Sequence, residues 1–135
     1  MQYWLMKSEP DVFGFTDLKA VKSEPWNGVR NHLAARHLRD MKKGDLAFFY
    51  HSNIGKEIVG IMEIMREAYP DPDDESGKFV MVDVAYKKPL NRPVTLAEVK
   101  ADKALENMAL VRYSRLSVGP VTKAEWDHIL SLANS

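Results

Sequence analysis

Leu46-Ala47-Phe48-Phe49-Tyr50-His51 and, after a turn at Asn53-Ile54-Gly55-Lys56, Ile58-Val59-Gly60-Ile61-Met62-Glu63-Ile64-Met65 are the two runs whose reading decides the fold. The first is almost continuously apolar and aromatic, which suits a strand covered on both faces. Side chains alternate along a strand, so Phe48, Tyr50 and Ser52 share one face while Phe49 and His51 share the other. The turn returns the chain as a partner strand, and a hairpin is predicted. Gly60 stands mid-strand, where a glycine signals a bulge or the close approach of another group.

Upstream, Lys43-Gly44-Asp45 is a turn linking this hairpin to a helix. Leu33, Ala34, Leu38 and Met41 recur at helical steps, and His32, Arg36, Arg39 and Lys43 form a separate basic stripe. Before the helix stands Pro25-Trp26-Asn27-Gly28-Val29-Arg30-Asn31. Asn27-Gly28 tolerates positive φ and predicts a tight turn holding Trp26 at a loop rim. Two readings are open: Trp26 plugs the core beneath a solvated basic helix, or it walls a small pocket served by Arg30, Asn31, His32 and Arg36. Further upstream, Tyr3–Lys7 reads as a buried strand ended by Ser8-Glu9-Pro10. Thr16 or Asp17 caps a short helix carrying Leu18 and Val21, terminated at Ser23-Glu24-Pro25.

Downstream, the stretch from Tyr69 to Gly77 is a polar loop rich in turn residues. Phe79–Tyr86 is a clear β-run, and Pro89 and Pro93 mark a crossover. Thr95-Leu96-Ala97-Glu98 and Thr122-Lys123-Ala124-Glu125 both fit the capping box that opens a helix. Leu105, Met108 and Leu110 belong to a core, Arg115–Val121 is a late strand and turn, and Trp126, Ile129 and Leu130 line the inner face of a final helix. Together these predict one α+β domain over residues 1–135: a mixed or antiparallel sheet of about five to six strands, curled toward a barrel, with short peripheral helices.

The composition is that of an ordinary globular protein, 45% hydrophobic and 28% charged. No run approaches the ~20 apolar residues needed to span a bilayer, and the N-terminus does not read as a signal peptide. The chain has no cysteine, which excludes disulfides, a thiolate nucleophile and Cys-ligated zinc, and a cytoplasmic location is expected. Its 19 basic and 19 acidic residues cancel, but they are segregated. Asp71, Asp73, Asp74 and Glu75 share one loop, whereas Arg30, Arg36, Arg39, Lys42 and Lys43 cluster together. A neutral molecule can thus present one basic face to phosphates.

Metalloprotease, hydrolase-elbow, phosphate-loop and dinucleotide signatures are missing. The four histidines show no metal-ligand spacing, so neither metal nor cofactor is expected. His51, at a strand end beside Ser52 and Asn53, is a structural histidine or an acid–base group working with Glu9 or Asp71. Trp4, Trp26, Tyr50, Tyr69 and Tyr113 lie in or beside loops and strand ends. Such rings stack on nucleobases when they are not core, and Trp4, mid-strand, reads as core.

Several segments resemble the EVE domain in order along almost the whole chain. They are Tyr-Trp-Leu-Met-Lys-Ser-Glu-Pro (3–10), Trp-Asn-Gly-Val-Arg-Asn (26–31), Ala-Ala-Arg (34–36) and Met-Lys-Lys-Gly-Asp (41–45), then Phe-Tyr-His-Ser (49–52), Ala-Tyr-Pro-Asp-Pro (68–72) and Arg-Leu-Ser-Val-Gly-Pro-Val (115–121). The basic N-terminal extension of eukaryotic members is missing, which implies a stand-alone bacterial form. The resemblance implies a PUA-like fold related to the YTH domain, and a non-catalytic module that reads a modified base in DNA or RNA as a monomer, with no membrane partner. By that analogy Lys7, Ser8, Trp26, Asn27, Asn31, Tyr50, His51 and Ser52 contact the base, with Tyr69 as the second wall. Asn27 departs from the serine that follows the cage tryptophan in YTH domains. Arg30, Arg36, Arg39 and Lys43 are the expected phosphate contacts. The alternatives are a small hydrolase of RNA or modified nucleosides acting through His51 and a carboxylate, and a protein-interaction module whose pocket is filled.

Overall fold

The anticipated hairpin pairs β3 (Leu46–His51) with β4 (Glu57–Pro70) in a computed structural model that describes residues 1–135. β1 (Tyr3–Ser8) lies parallel to β3, and β6 (Val118–Val121) closes that side antiparallel to β1. On the other side β5 (Val80–Thr95) pairs with β4, and β2 (Ser23–Pro25) pairs with β5. The result is a six-stranded mixed sheet in the order β2-β5-β4-β3-β1-β6. It does not close into a barrel. Both edges are short strands carrying a proline, Pro25 and Pro120, which has no N–H to donate to a closing ladder.

Helices cover both faces, as strands apolar on both sides require. α1 (Pro10–Phe13), α2 (Phe15–Val21) and α3 (His32–Asp40) come early in the chain; α4 (Leu96–Ala101), a 3₁₀ turn at Lys103–Leu105, α5 (Ala109–Arg112) and α6 (Lys123–Ala133) follow β5. One core holds Trp4, Met6 and Phe49 with Phe15, Leu18, Trp26, Leu38 and Met41. The other holds Leu5, Phe48 and Tyr50 with Leu105, Met108, Trp126 and Ile129. Alternation along β1 and β3 therefore sorts neighbouring residues into separate cores, with Phe48 stacked on Trp126 at 3.8 Å between ring centroids.

Gly60 sits at a register shift in the β4–β5 pairing. A β-carbon there would fall 2.1 Å from Cζ of Phe15, so the missing side chain makes room for the ring. Both capping boxes form, at Thr95/Glu98 and Thr122/Glu125.

Several segments differ from expectation: β4 continues through Tyr69 and Pro70, read as loop, and α3 stops at Asp40, short of Met41 and Lys43. Residues 23–25 are an edge strand as well as a helix stop, which Pro25 permits because an edge position needs no further donor. β5 runs through Pro89 and Pro93 to Thr95 instead of crossing over; Pro89 lies opposite Gly60, next to a register shift that absorbs its missing N–H. α2 begins one residue before Thr16, and Asp17 caps from inside, its carboxylate accepting from Gly14 N at 2.7 Å. No helix is long and apolar enough to cross a membrane.

Candidate nucleic-acid interface

The ends of the parallel strands β1 and β3 meet at Ser8 and His51. Ser52 N donates to Ser8 O at 3.0 Å, and Ser8 Oγ donates to Phe13 O at 2.7 Å, tying both strand ends to α1. Beside them the chain leaves β2 and enters the Trp26 turn, where Trp26 N continues the pairing by donating to Val82 O at 2.7 Å. Trp26 packs edge-on against Phe49, with centroids 5.4 Å apart and planes at 81°. Only 8% of it is exposed, and that remainder lines a cleft of about 360 Å³. Lys7, Ser8 and Asn27 give this cleft polar groups, Val12 and Phe13 give it apolar ones, and Glu24 and Pro25 complete the rim.

The turn is held from a distance. Gly28, at φ +81°, donates its N–H to Asp71 at 3.0 Å, and Arg30 pairs with the same carboxylate oxygen at 3.0 Å. Asp71 is only 2% exposed. Burial would push its pKa up, but the N–H groups of Gly28 and Asp73 and the Arg30 guanidinium outweigh this and hold it below the usual carboxylate value.

A second cleft of about 590 Å³ adjoins the first and shares Lys7, Ser8 and Val12 with it. Tyr50 lines it from β3, Ser52, Asn53 and Lys56 from the β3–β4 turn, and Ser114, Arg115 and Ser117 from the segment before β6. A third, of about 300 Å³, continues from Ser114 and Arg115 to Asn31, Leu33 and Tyr113. Lys7 is half-buried, donates Nζ to Ser114 O at 2.9 Å and lies 5.7 Å from the Tyr50 ring centroid. Burial lowers the Lys7 pKa and raises that of Tyr50.

The EVE domain matches residues 2–132 of the chain. The chain belongs to the EVE domain family. Human thymocyte nuclear protein 1 is 40% identical to it, over 96% of this chain and 73% of the human protein. A Rhodopseudomonas palustris protein solved by NMR superposes with a TM-score of 0.94 at 57% identity, covering 99% of this chain and 94% of that one. The crystal structure of the human THYN1 protein in complex with DNA containing 5-methylcytosine superposes with a TM-score of 0.93 at 39% identity, covering 100% of this chain and 99% of that one.

In this EVE domain Lys7, Ser8, Trp26 and Asn27 come together at the first cleft, and Tyr50 and Ser52 join Lys7 and Ser8 at the second. Asn31 does not reach Trp26. It caps α3, its Oδ1 accepting from Ala34 N at 2.9 Å, and lines the third cleft. Tyr69 does not line the Trp26 cleft: its hydroxyl bonds Asp83, and the Arg66 guanidinium covers its ring 3.6 Å from the centroid. Val12 and Phe13 are the apolar residues that line the cleft with Trp26. His51 lines neither of the first two clefts. Its Nε2 accepts from Phe15 N at 3.1 Å, and burial lowers its pKa while Glu57 pulls the other way. The expected pairing of His51 with Asp71 is not made, because that carboxylate is committed to the Trp26 turn.

The four expected phosphate contacts line none of these three clefts. Arg30 is bound to Asp71, Arg39 donates to Lys78 O, and Arg36 and Lys43 are exposed elsewhere. The cations that do line the second cleft beside Lys7 are Lys56 and Arg115, and reasoning from helical spacing missed both. Arg115 opens the last of the family segments quoted above, which was the available signal.

Proposed function

We propose that this EVE domain binds DNA and holds one modified base, extruded from the strand, in the cleft beside Trp26. The observation that carries the reading is the cleft itself. Its volume lies within the ~300–1,000 Å³ of small-molecule sites, and it sets an aromatic and apolar lining beside Lys7, Ser8 and Asn27. A flat heterocycle needs that combination, a ring surface to stack on and polar groups for its edge. The DNA-bound human relative supports a modified cytosine as the first ligand to test, with modified RNA as the second. In this reading the domain works as a monomer, since both sheet edges are short and interrupted by proline; sedimentation tests that directly.

The decisive experiment compares trinucleotides whose central base is cytosine or 5-methylcytosine, by calorimetry. Stacking contributes about 1–3 kcal/mol per base, so Trp26→Ala is expected to weaken the methylated trinucleotide about fivefold or more. Trp26 also belongs to a core, so Val12→Asp, at a residue 73% exposed, provides a variant that spares folding and places a carboxylate at the cleft. Unchanged affinity in both variants would overturn the assignment.

A further inference from the structure

We infer that the second cleft is a phosphate subsite, in which Lys7, Lys56 and Arg115 hold the backbone of the strand whose base occupies the first. It rests on the base reading above, and it moves backbone contact away from the basic stripe of α3. Three cations line this one cleft, and none of them takes part in the ion pairs of the molecule, which use Arg30, Lys87, Arg92, Lys123 and His128. Glu9 is the one carboxylate in the lining, and it is exposed.

Lys7 is the clearest of the three. The residue is half-buried, and its ammonium meets only the neutral carbonyl of Ser114 and the face of the Tyr50 ring, so no carboxylate compensates this charge at the junction of two clefts. Burial has already lowered its pKa; an anion beside it would act in the opposite sense. Ser52, Ser114 and Ser117 bring hydroxyls to the same lining, and hydroxyls with Lys and Arg are the usual donors to phosphate oxygens. The shared Lys7, Ser8 and Val12 make the two clefts neighbours, as a base and its own backbone must be. By contrast Arg30 already has its carboxylate, and Arg39 its carbonyl.

The chemistry recognised is a phosphate bonded to a nucleoside, either terminal or within a strand. The test measures binding of 5-methyldeoxycytidine, its 5′-monophosphate and the methylated trinucleotide to the full chain, at several salt concentrations. We expect the trinucleotide to bind about tenfold or more tightly than the nucleoside. Arg115→Gln and Lys56→Gln should each weaken it about fivefold and reduce the salt slope by about 1, while changing nucleoside affinity less than about twofold. A gain already present with the monophosphate identifies a terminal phosphate as sufficient; a gain confined to the trinucleotide identifies an internal phosphodiester. Both support the subsite. Full retention of the gain and slope in Arg115→Gln and Lys56→Gln, with loss in Arg36→Gln and Arg39→Gln, would overturn it in favour of α3. A phosphate gain with no preference for the methyl group would sink the base reading and leave this subsite standing.

Discussion

Phe15 occupies the space that a side chain at position 60 would need. Its ring also lies against Phe49 and Tyr86, at 5.3 and 4.9 Å between centroids, so it cannot withdraw without disturbing both. Gly60→Ala is therefore expected to destabilise by about 1–3 kcal/mol or more, read as a drop in thermal midpoint. Asp71 is the second such residue. Asp71→Ala would leave the Gly28 N–H and the Arg30 guanidinium without their acceptor and is expected to cost about 1–3 kcal/mol, measured by chemical denaturation. The two were unequally legible. A glycine inside an apolar strand announces a close approach, and the structure supplies Phe15. Asp71 sits in a run of acidic residues that reads as solvated loop, and nothing local says that one carboxylate in the run turns inward to meet a turn 43 residues away. Trp26 meets each reading in part: one side joins the core and the remainder meets a cleft, but Arg30, Asn31, His32 and Arg36 do not line that cleft.

At the scale of elements, the starts of α4 and α6 were the most legible features, since a capping box is a local chemical arrangement that needs no tertiary partner. Thr122→Ala should cost about 1 kcal/mol through the start of α6 and leave oligonucleotide affinity unchanged; denaturation and calorimetry on one preparation check both halves. Strands bearing prolines were the least legible. β2 and the second half of β5 exist because Pro25 lies at an edge and Pro89 beside a register shift, and both circumstances belong to the partner strand. Of the basic stripe, His32, Arg36 and Arg39 lie on α3, and Lys43 falls in the turn beyond its end at Asp40. The stripe's separation from the clefts depends on the orientation of α3 against the sheet, which periodicity does not contain.

For the whole molecule, formal neutrality conceals carboxylates with depressed pKa values. Asp74 is held down to about 2, chiefly by the Ser76 hydroxyl and the Phe79 N–H, and Glu98 to about 2, chiefly by Arg92. A depressed folded-state pKa gives stability that is complete above the unfolded value near 4 and is lost as pH falls through the folded one. Stability is thus expected to fall between about pH 4 and 2, followed by circular dichroism, after a first decline below about pH 6.5 that the burial-lowered pKa values of His37 and His51 add. Asp74→Asn should remove part of that slope. The tie between Asp71 and the Trp26 turn also has a kinetic side. Because the turn is fastened by the fold and not by the ligand, ordering of the cleft precedes encounter. Stopped-flow mixing with a short oligonucleotide should therefore show a single phase whose rate rises linearly with concentration, whereas Asp71→Ala should add a slow, concentration-independent step as a loosened turn closes over its base.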